Sequence, residues 1–287
     1  MNAALFNRRC FGAMLAATAA FVSLGLPSVA SAQSGSTWDK IAETGELSVG
    51  LIPNRPPYQF ELDGKQEGLA IQMGEDLAAA LSKEFGKDIT IHYETSTWST
   101  LVLDIQSGRI DTFFGMSETP ERKAALDMFG PLYSVPVVAI TAGAELESSE
   151  WTALNKPETS ISVVMGTTDE DAVRQYMPDA TIRSMKGMAE AILDVQSRNS
   201  DALVTSVLLG INAMDKNPNF TEMTLLQPPH ALPSGGGTRK DGDGRFTEFV
   251  QKWSEEYRAS GRVQEVIMES LTQAGFGVEA IPDEVKF

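Results

Sequence analysis

Short apolar runs alternate with helix-period segments along most of the chain. Residues 46–52 read Glu-Leu-Ser-Val-Gly-Leu-Ile and predict a strand. Met73, Leu77 and Leu81 recur every four residues and predict a helix that ends before Gly86. Residues 89–93 predict a second strand, 99–106 a helix stopped by Gly108, 110–114 a third strand, and the β-branched run 135–142 a fourth. A similar series follows: strand 160–164, helix 170–176, strand 181–184, helix 188–195, strand 202–205 and helix 207–214. In the helical tail 243–275, Phe246, Phe249, Val250, Trp253 and Tyr257 share one face. Strands separated by helices of this length predict parallel sheets covered on both faces. Two such series predict two α/β lobes, although no convincing sequence repeat accompanies them.

The N-terminus has a different pattern. Residues 1–10 carry Arg8 and Arg9 but no acid, an apolar stretch occupies 11–26, and Pro27 leads into the small-residue run 28–32. This order predicts a signal peptide, residues 1–32, cut between Ala32 and Gln33, and export to the periplasm. The stretch contains Gly12, Thr18, Ser23 and Gly25 and is shorter than the roughly 20 apolar residues that a membrane span needs. Arg8-Arg9-Cys10-Phe11 also has the look of a twin-arginine export signal.

Removing that segment takes away the only cysteine, which excludes disulfides and cysteine metal sites. It leaves 21 basic against 39 acidic residues, a net charge near −18. Such a surface repels nucleic acid and anionic lipid, so neither is an expected partner. At 42% apolar, the chain has material for one large or two medium cores. The expectation is a soluble, exported monomer without a cofactor.

The densest constellation runs from Trp98 to Tyr133. It includes Gln106-Ser107-Gly108-Arg109-Ile110-Asp111, then Gly115-Met116-Ser117-Glu118-Thr119-Pro120-Glu121-Arg122, and then Phe129-Gly130-Pro131-Leu132-Tyr133. If Gly115-Met116-Ser117 follows the strand 110–114, it sits at the carboxyl edge of a parallel sheet, where open α/β folds bind ligands. There Gly115 lets backbone N–H groups approach an anion, Ser117 adds a hydroxyl, and Arg122 closes a planar fork on a carboxylate. Gly166-Thr167-Thr168 repeats the logic in the second series: strand, glycine, hydroxyls, then a helix N-terminus with free N–H groups.

This constellation resembles the family 3 extracellular solute-binding proteins, the polar-amino-acid receptors of ABC importers. Their pattern combines an aromatic, a helix ending in Q-S-G-[KR]-[IV]-D, a G-M-[ST]-x-T-x-x-R turn and an F-x-x-P-Y strand. Weaker matches at Pro56-Pro57-Tyr58, Asp63-Gly64, Gly68, Gly166-Thr167-Thr168 and 253–262 extend the likeness over most of the chain. The resemblance implies an α/β, two-lobed periplasmic-binding-protein fold (type II, Venus-flytrap) with two crossing hinge strands. Lobe 1 is expected at 36–136 plus 234–287 and lobe 2 at 137–233. It also implies capture of a small molecule for an ABC transporter permease, with the ligand carboxylate held by Gly115, Ser117, Arg122 and Thr167 or Thr168. Tyr58 and Trp98 fall at or near positions that face the ligand side chain in the family, where aromatic faces exclude water.

Departures from the family pattern carry information of their own. Ser206 follows Asp201-Ala202-Leu203-Val204-Thr205 where the family usually has an acid for the ligand's ammonium. Gly68-Leu69-Ala70-Ile71-Gln72 lacks both usual acids, and Ile52 and Arg55 replace a carboxylate and an aromatic after the first strand. A pocket that loses negative charge and gains a second arginine predicts an anionic ligand, because buried charges must be paired. An acidic amino acid or related small carboxylate is therefore expected, not lysine, arginine or histidine.

The remaining candidates for chemistry are weak. His92 lies in a predicted strand and His230 in a Pro-rich turn, without zinc-site spacing. Asp169-Glu170-Asp171 reads as acidic stabilisation of a helix start, and Ser234-Gly235-Gly236-Gly237 as a flexible return between lobes. No catalytic role is expected. The alternatives are an exported enzyme of the same fold, similar to cyclohexadienyl dehydratase, with Glu61 or Glu118 as candidate acids, or a sensor that uses the clamp without transport.

Overall fold

The computed structural model of the protein describes residues 35–143 and 145–276. The predicted signal peptide, with its twin-arginine pair, lies outside the described residues. The first series is built from α1 (Thr37–Thr44), β1 (Glu46–Leu51), a hairpin of β2 (Phe60–Leu62) and β3 (Lys65–Glu67), α2 (Leu69–Phe85), β4 (Thr90–Thr95), α3 (Leu101–Gln106), β5 (Thr112–Ser117) and α4 (Pro120–Ala125). The long strand β6 (Asp127–Thr141) leads into β7 (Ser160–Val164), α5 (Thr168–Tyr176), β8 (Thr181–Met185), α6 (Met188–Gln196), β9 (Ala202–Ser206), α7 (Val207–Lys216) and β10 (Glu222–Leu225). Strand β11 (Ala231–Thr238) returns, and α8 (Arg245–Ala259) and α9 (Arg262–Gln273) follow. Among the described residues, no helix is long and apolar enough to cross a membrane.

Each predicted strand and helix is present, with boundaries moved by a few residues. α2 buries Leu69, Ile71, Met73, Leu77 and Leu81, and Gly86 ends it in the left-handed conformation at φ 63°. The helical tail is two helices, because Gly261 breaks it at φ 81°. α1, α4, the β2–β3 hairpin and β10 have too few apolar positions to show a period and emerge only in the fold.

The strand order is β4-β1-β5-β11-β6-β9-β7-β8, with β10 also paired to β6. β1 pairs parallel with β4 and β5, and β7 pairs parallel with β8 and β9. The expectation of parallel sheets fails in the middle, where β11 runs antiparallel to β5 and β6, and β6 antiparallel to β9 and β10. β6 changes partner along its length. Residues 127–136 face β11, and Val137–Thr141 face β9. One continuous strand therefore belongs to both halves of a two-lobed α/β fold.

Both halves use the same local device on matching residues. In the first, Leu103-Asp104 and Gln106-Ser107 end α3, and Asp111 follows seven residues after Asp104. The Asp111 N–H donates to the Ser48 carbonyl (2.9 Å), and its carboxylate accepts from the Ser48 N–H (2.8 Å). In the second, Leu193-Asp194 and Gln196-Ser197 end α6, and Asp201 follows at the same interval. Its N–H donates to the Ser160 carbonyl (2.8 Å), and its carboxylate accepts from the Ser160 N–H (2.8 Å). Each aspartate thus locks the exit of a helix to the first strand of its half. The repeat is short and diverged, which is why no sequence repeat stands out.

The glycine run Ser234–Gly237, expected to be flexible, is instead the buried middle of β11, between β5 and β6. Its glycines answer to space. A Cβ on Gly235 would lie 1.9 Å from the Phe129 carbonyl oxygen, and one on Gly236 would lie 2.1 Å from the Phe129 ring. Gly235→Ala is therefore expected to cost at least about 2–3 kcal/mol, the upper range for overpacking, read as a lower urea midpoint at unchanged slope. A loss below about 0.5 kcal/mol would contradict this packing.

Candidate ligand site

All nine residues singled out in the sequence line one cavity: Arg55, Tyr58, Trp98, Gly115, Ser117, Arg122, Thr167, Thr168 and Ser206. Strand β11 contributes Leu232 and Ser234, and His230 just before it completes the wall. About 530 Å³ of space lies between these walls, including the open mouth. A second, more apolar chamber continues beyond Arg55, Trp98, Thr167 and Asp169 towards Ile52, Lys186 and Met188.

Arg55 sits in the loop after β1. Its N–H donates to the Gln59 carbonyl (2.9 Å), and its own carbonyl accepts from Tyr58 and Gln59. This tight loop lays the guanidinium over the Tyr58 ring, 3.8 Å from its centroid. Arg55 is only 7% exposed, and its Nε has no hydrogen-bond partner.

Arg122 is placed by helix α4. Thr119 caps that helix by accepting from the Arg122 N–H (3.2 Å), and Pro120 presets its first turn. The Arg122 guanidinium donates to the Ser117 carbonyl (2.9 Å) and to the Gly166 carbonyl (3.3 Å), so it ties the end of β5 to the loop after β7. Burial lowers its pKa below the ordinary guanidinium value; Asp171 and Asp169 raise it, and the positive charge of Arg55 lowers it further. Both cations lie against Trp98, its ring 5.0 Å from Arg55 Cζ and 5.2 Å from Arg122 Cζ. Both distances lie in the cation–π range.

The Gly115-Met116-Ser117 segment is not a turn after the strand, as the sequence suggested, but the end of β5 itself, paired with β11. Gly115 is a bulge. The register jumps from Met116 opposite Gly235 to Phe114 opposite Gly236, and Gly115 takes φ 80°. A Cβ there would meet the Tyr58 ring at 2.8 Å, so only glycine fits both the conformation and the aromatic wall. The Ser117 hydroxyl lies 3.2 Å from that of Ser234.

Across the cleft, Thr167 caps α5. Its hydroxyl accepts from the Glu170 N–H (3.2 Å) and donates to the Val164 carbonyl (2.7 Å). The expected hydroxyl donor is thus already used within its own loop. Thr168 and the first turn of α5 remain facing the cavity.

The acidic triplet divides its work. Glu170 stabilises the helix start as expected, accepting from the Gly166 N–H (2.8 Å) and pairing with Arg174 (2.6 Å). Asp169 does not. It lines both chambers, and burial pushes its carboxyl up to about 6 against the pull of the Ser206 N–H, Arg55, the Thr205 hydroxyl and Arg122. His230, read as a turn residue, also faces the cavity; burial pushes its pKa below the ordinary value. Sequence reasoning missed both. The one available signal for Asp169 was its place immediately after Gly166-Thr167-Thr168.

Asp169 carries a testable cost. Its folded-state pKa lies above its unfolded value near 3.8, so the folded protein is penalised once the group ionises. This contribution to stability is whole below about pH 4 and is lost as pH rises through about 6. Ligand-free Asp169→Asn protein should accordingly be more stable than the parent at pH 7.5, by on the order of 2–3 kcal/mol. The difference should vanish near pH 4 in urea titrations. A variant less stable than the parent at pH 7.5 would contradict this penalty.

Residues 47–270 match the sequence model of the bacterial extracellular solute-binding proteins, family 3. An ABC transporter glutamine-binding protein of Bacillus subtilis (strain 168) is 25% identical over 235 residues, covering 76% of this chain and 82% of that protein. Among solved structures, the ancestral amino acid-binding protein AncCDT-1, a precursor of cyclohexadienyl dehydratase, aligns with TM-score 0.69 and 29% identity over 82% of this chain and 99% of its own. A second structure of it, described as a cationic amino acid solute binding protein, aligns at 0.60. The solute receptor for L-cysteine of Neisseria gonorrhoeae, 20% identical over 87% of this chain and 98% of its own, shares the fold with TM-score 0.75.

Proposed function

The chain belongs to the bacterial extracellular solute-binding proteins of family 3, and on that footing we propose that it captures an anionic small molecule for an ABC importer. The ligand class is an acidic amino acid or a related small carboxylate. One observation carries the reading: Arg55 and Arg122 flank the same indole, and neither forms an ion pair with a carboxylate among the described residues. Two like charges held together at a partly dry wall are unfavourable unless an anion pairs them. The relatives' names speak of glutamine and of cationic amino acids. This cleft has the opposite charge balance to one built for a cation.

The site residues divide the task. Arg122 forks a carboxylate, with Ser117 and the bulged backbone at Gly115 beside it. Thr168 and the N-terminus of α5, with Thr167 behind it, approach the same group from the other lobe. Tyr58, Trp98 and Ser206 form the remaining walls, and Arg55 meets the second negative charge. The lobes of this proposal are 36–136 plus 234–287 and 137–233, hinged where β6 changes partner. A ligand that touches both lobes stabilises closure, because only contacts made in the closed state shift that equilibrium. The closed form then docks on a permease. Export ahead of capture, with residues 1–32 as the signal, belongs to the same reading.

A second reading rests on Asp169. A carboxyl that holds its proton to about pH 6 beside two arginines could protonate the hydroxyl that leaves as water while a substrate carboxylate departs as CO2 and its bonding electrons form the new double bond, which would make the cleft a dehydratase. Turnover of arogenate or prephenate would favour it, and none is expected.

The test is calorimetric titration of protein that has been unfolded and refolded to strip carried-over solute. Acidic amino acids or dicarboxylates should bind at micromolar affinity or better. Arg122→Gln should weaken binding at least 100-fold, about 3 kcal/mol. Micromolar binding of arginine or lysine with none of any dicarboxylate would defeat the proposal.

A further inference from the structure

The loop after β7 meets the first half of the chain through its backbone. The Gly166 carbonyl accepts from Arg122, whose guanidinium also donates to the Ser117 carbonyl at the end of β5. A Cβ on Gly166 would lie 3.4 Å from the Trp98 carbonyl oxygen and 3.5 Å from the Ser99 nitrogen, so the loop also rests on the backbone of residues 98–99. Gly166 holds this place at φ 77°, a conformation that glycine enters without strain and leaves as easily.

Glu170 restrains it. One carboxylate oxygen accepts from the Gly166 N–H (2.8 Å), and the other accepts from Arg174 (2.6 Å) and from the Ser184 hydroxyl (2.5 Å). Burial raises the Glu170 pKa, but the hydrogen bonds from Ser184, Gly166 and Arg174 outweigh it and hold the carboxyl below the ordinary value. It is therefore ionised at pH 7.5. The residue is 8% exposed and is absent from the walls of the mouth and of both chambers.

We propose that Glu170 is a positioning residue for closure: it pins the Gly166 loop so that the Gly166 carbonyl latches Arg122, and the two lobes are held together by contacts the protein makes with itself. The latch goes beyond solute capture, since no solute takes part in it.

The argument is one of direction. Gly166 turns its N–H inward to Glu170 and its carbonyl outward to the other half. With the N–H pinned, the glycine loses its freedom to rotate and the carbonyl stays aimed at the guanidinium. Without the carboxylate the N–H can turn to solvent and the carbonyl swings away. Charges from the second half act on Arg122 in the same sense: Asp171, exposed at the start of α5, and Asp169 beside it. Solvent screens Asp171 and weakens its pull. Glu121 and Arg55 belong to the same half as Arg122 and act on it whether the lobes are open or closed. Arg55 and Lys186 line the second chamber from opposite halves, and like charges across that gap favour opening. The latch works against them. Only contacts confined to the closed state shift its population, and the Gly166 carbonyl bond is one.

The test reads the opening directly. Residues 33–287 contain no cysteine, so a pair of spin labels can be placed uniquely. Glu121 in α4 and Gln175 in α5 are exposed and line the mouth of the cleft from opposite halves. Protein carrying Glu121→Cys and Gln175→Cys is refolded free of solute and labelled, and its distance distribution is measured by double electron–electron resonance at pH 7.5. The parent should show mainly the short distance of the latched arrangement. Glu170→Ala should move the closed-to-open ratio at least about 5-fold towards the long distance, the loss of roughly one hydrogen bond. Glu170→Gln, whose amide oxygen still accepts from the Gly166 N–H, should restore the short distance. Thermal unfolding confirms that each labelled variant is folded. A parent that is mainly open overturns the latch without any substitution. So does a Glu170→Ala protein that melts lower with its distances unmoved, or a Glu170→Gln protein as open as Glu170→Ala. None of these readings depends on which solute binds, so they stand apart from the capture of an anion.

Discussion

The cleft is organised by a guanidinium that spans it. Arg122 is held at one end by the capped start of α4 and gives its hydrogen bonds to carbonyls of both lobes, Ser117 and Gly166. That leaves a cation partly removed from water and satisfied by neutral acceptors only, beside a second arginine that is more deeply buried. Carbonyl oxygens orient a guanidinium but do not cancel its charge. Each neighbouring feature keeps that wall rigid: the Arg55–Gln59 backbone bridge, the Tyr58 ring packed on the Gly115 bulge, and Glu170 bracing the Gly166 loop.

The two halves meet along two strands. β6 is continuous through both halves, and β11 runs beside it with glycines where any side chain would strike Phe129. Each half keeps its own parallel strands. The aspartates Asp111 and Asp201 make the same backbone exchange in the two halves, so each half has its own lock, and Asp111 pairs with Lys40 besides. A clamp needs that independence, because closure must be a rigid-body movement and not a loss of packing.

Selectivity in such a clamp depends on where single charges stand, more than on the scaffold. Relatives named for glutamine, cysteine or cationic amino acids share this fold at 20–29% identity. A scaffold that tolerates that divergence can carry different charges at its cleft without disturbing its core. The cost falls on the ligand-free state, in which Asp169 and the two arginines lack full partners.

Much of the fold was legible in the sequence because the strands and helices of the two series carry unbroken apolar periods, and because the glycines that end α2 and break the tail act locally. The nine cavity residues were legible for a related reason: motif order along the chain fixes that Gly115 and Ser117 end one strand and that Arg122 follows on the next short helix. Other features depend on neighbours far away in sequence. The antiparallel course of β11, the strand character of Gly235 and Gly236, the diversion of the Thr167 hydroxyl and the approach of Asp169 to Ser206 all require two segments to meet first. Periodicity records which face of an element is buried, but it holds no record of what lies opposite. Asp169 looked like one of three helix-start acids because its local pattern is identical to theirs, and only packing against β9 and Arg55 separates it from Glu170 and Asp171.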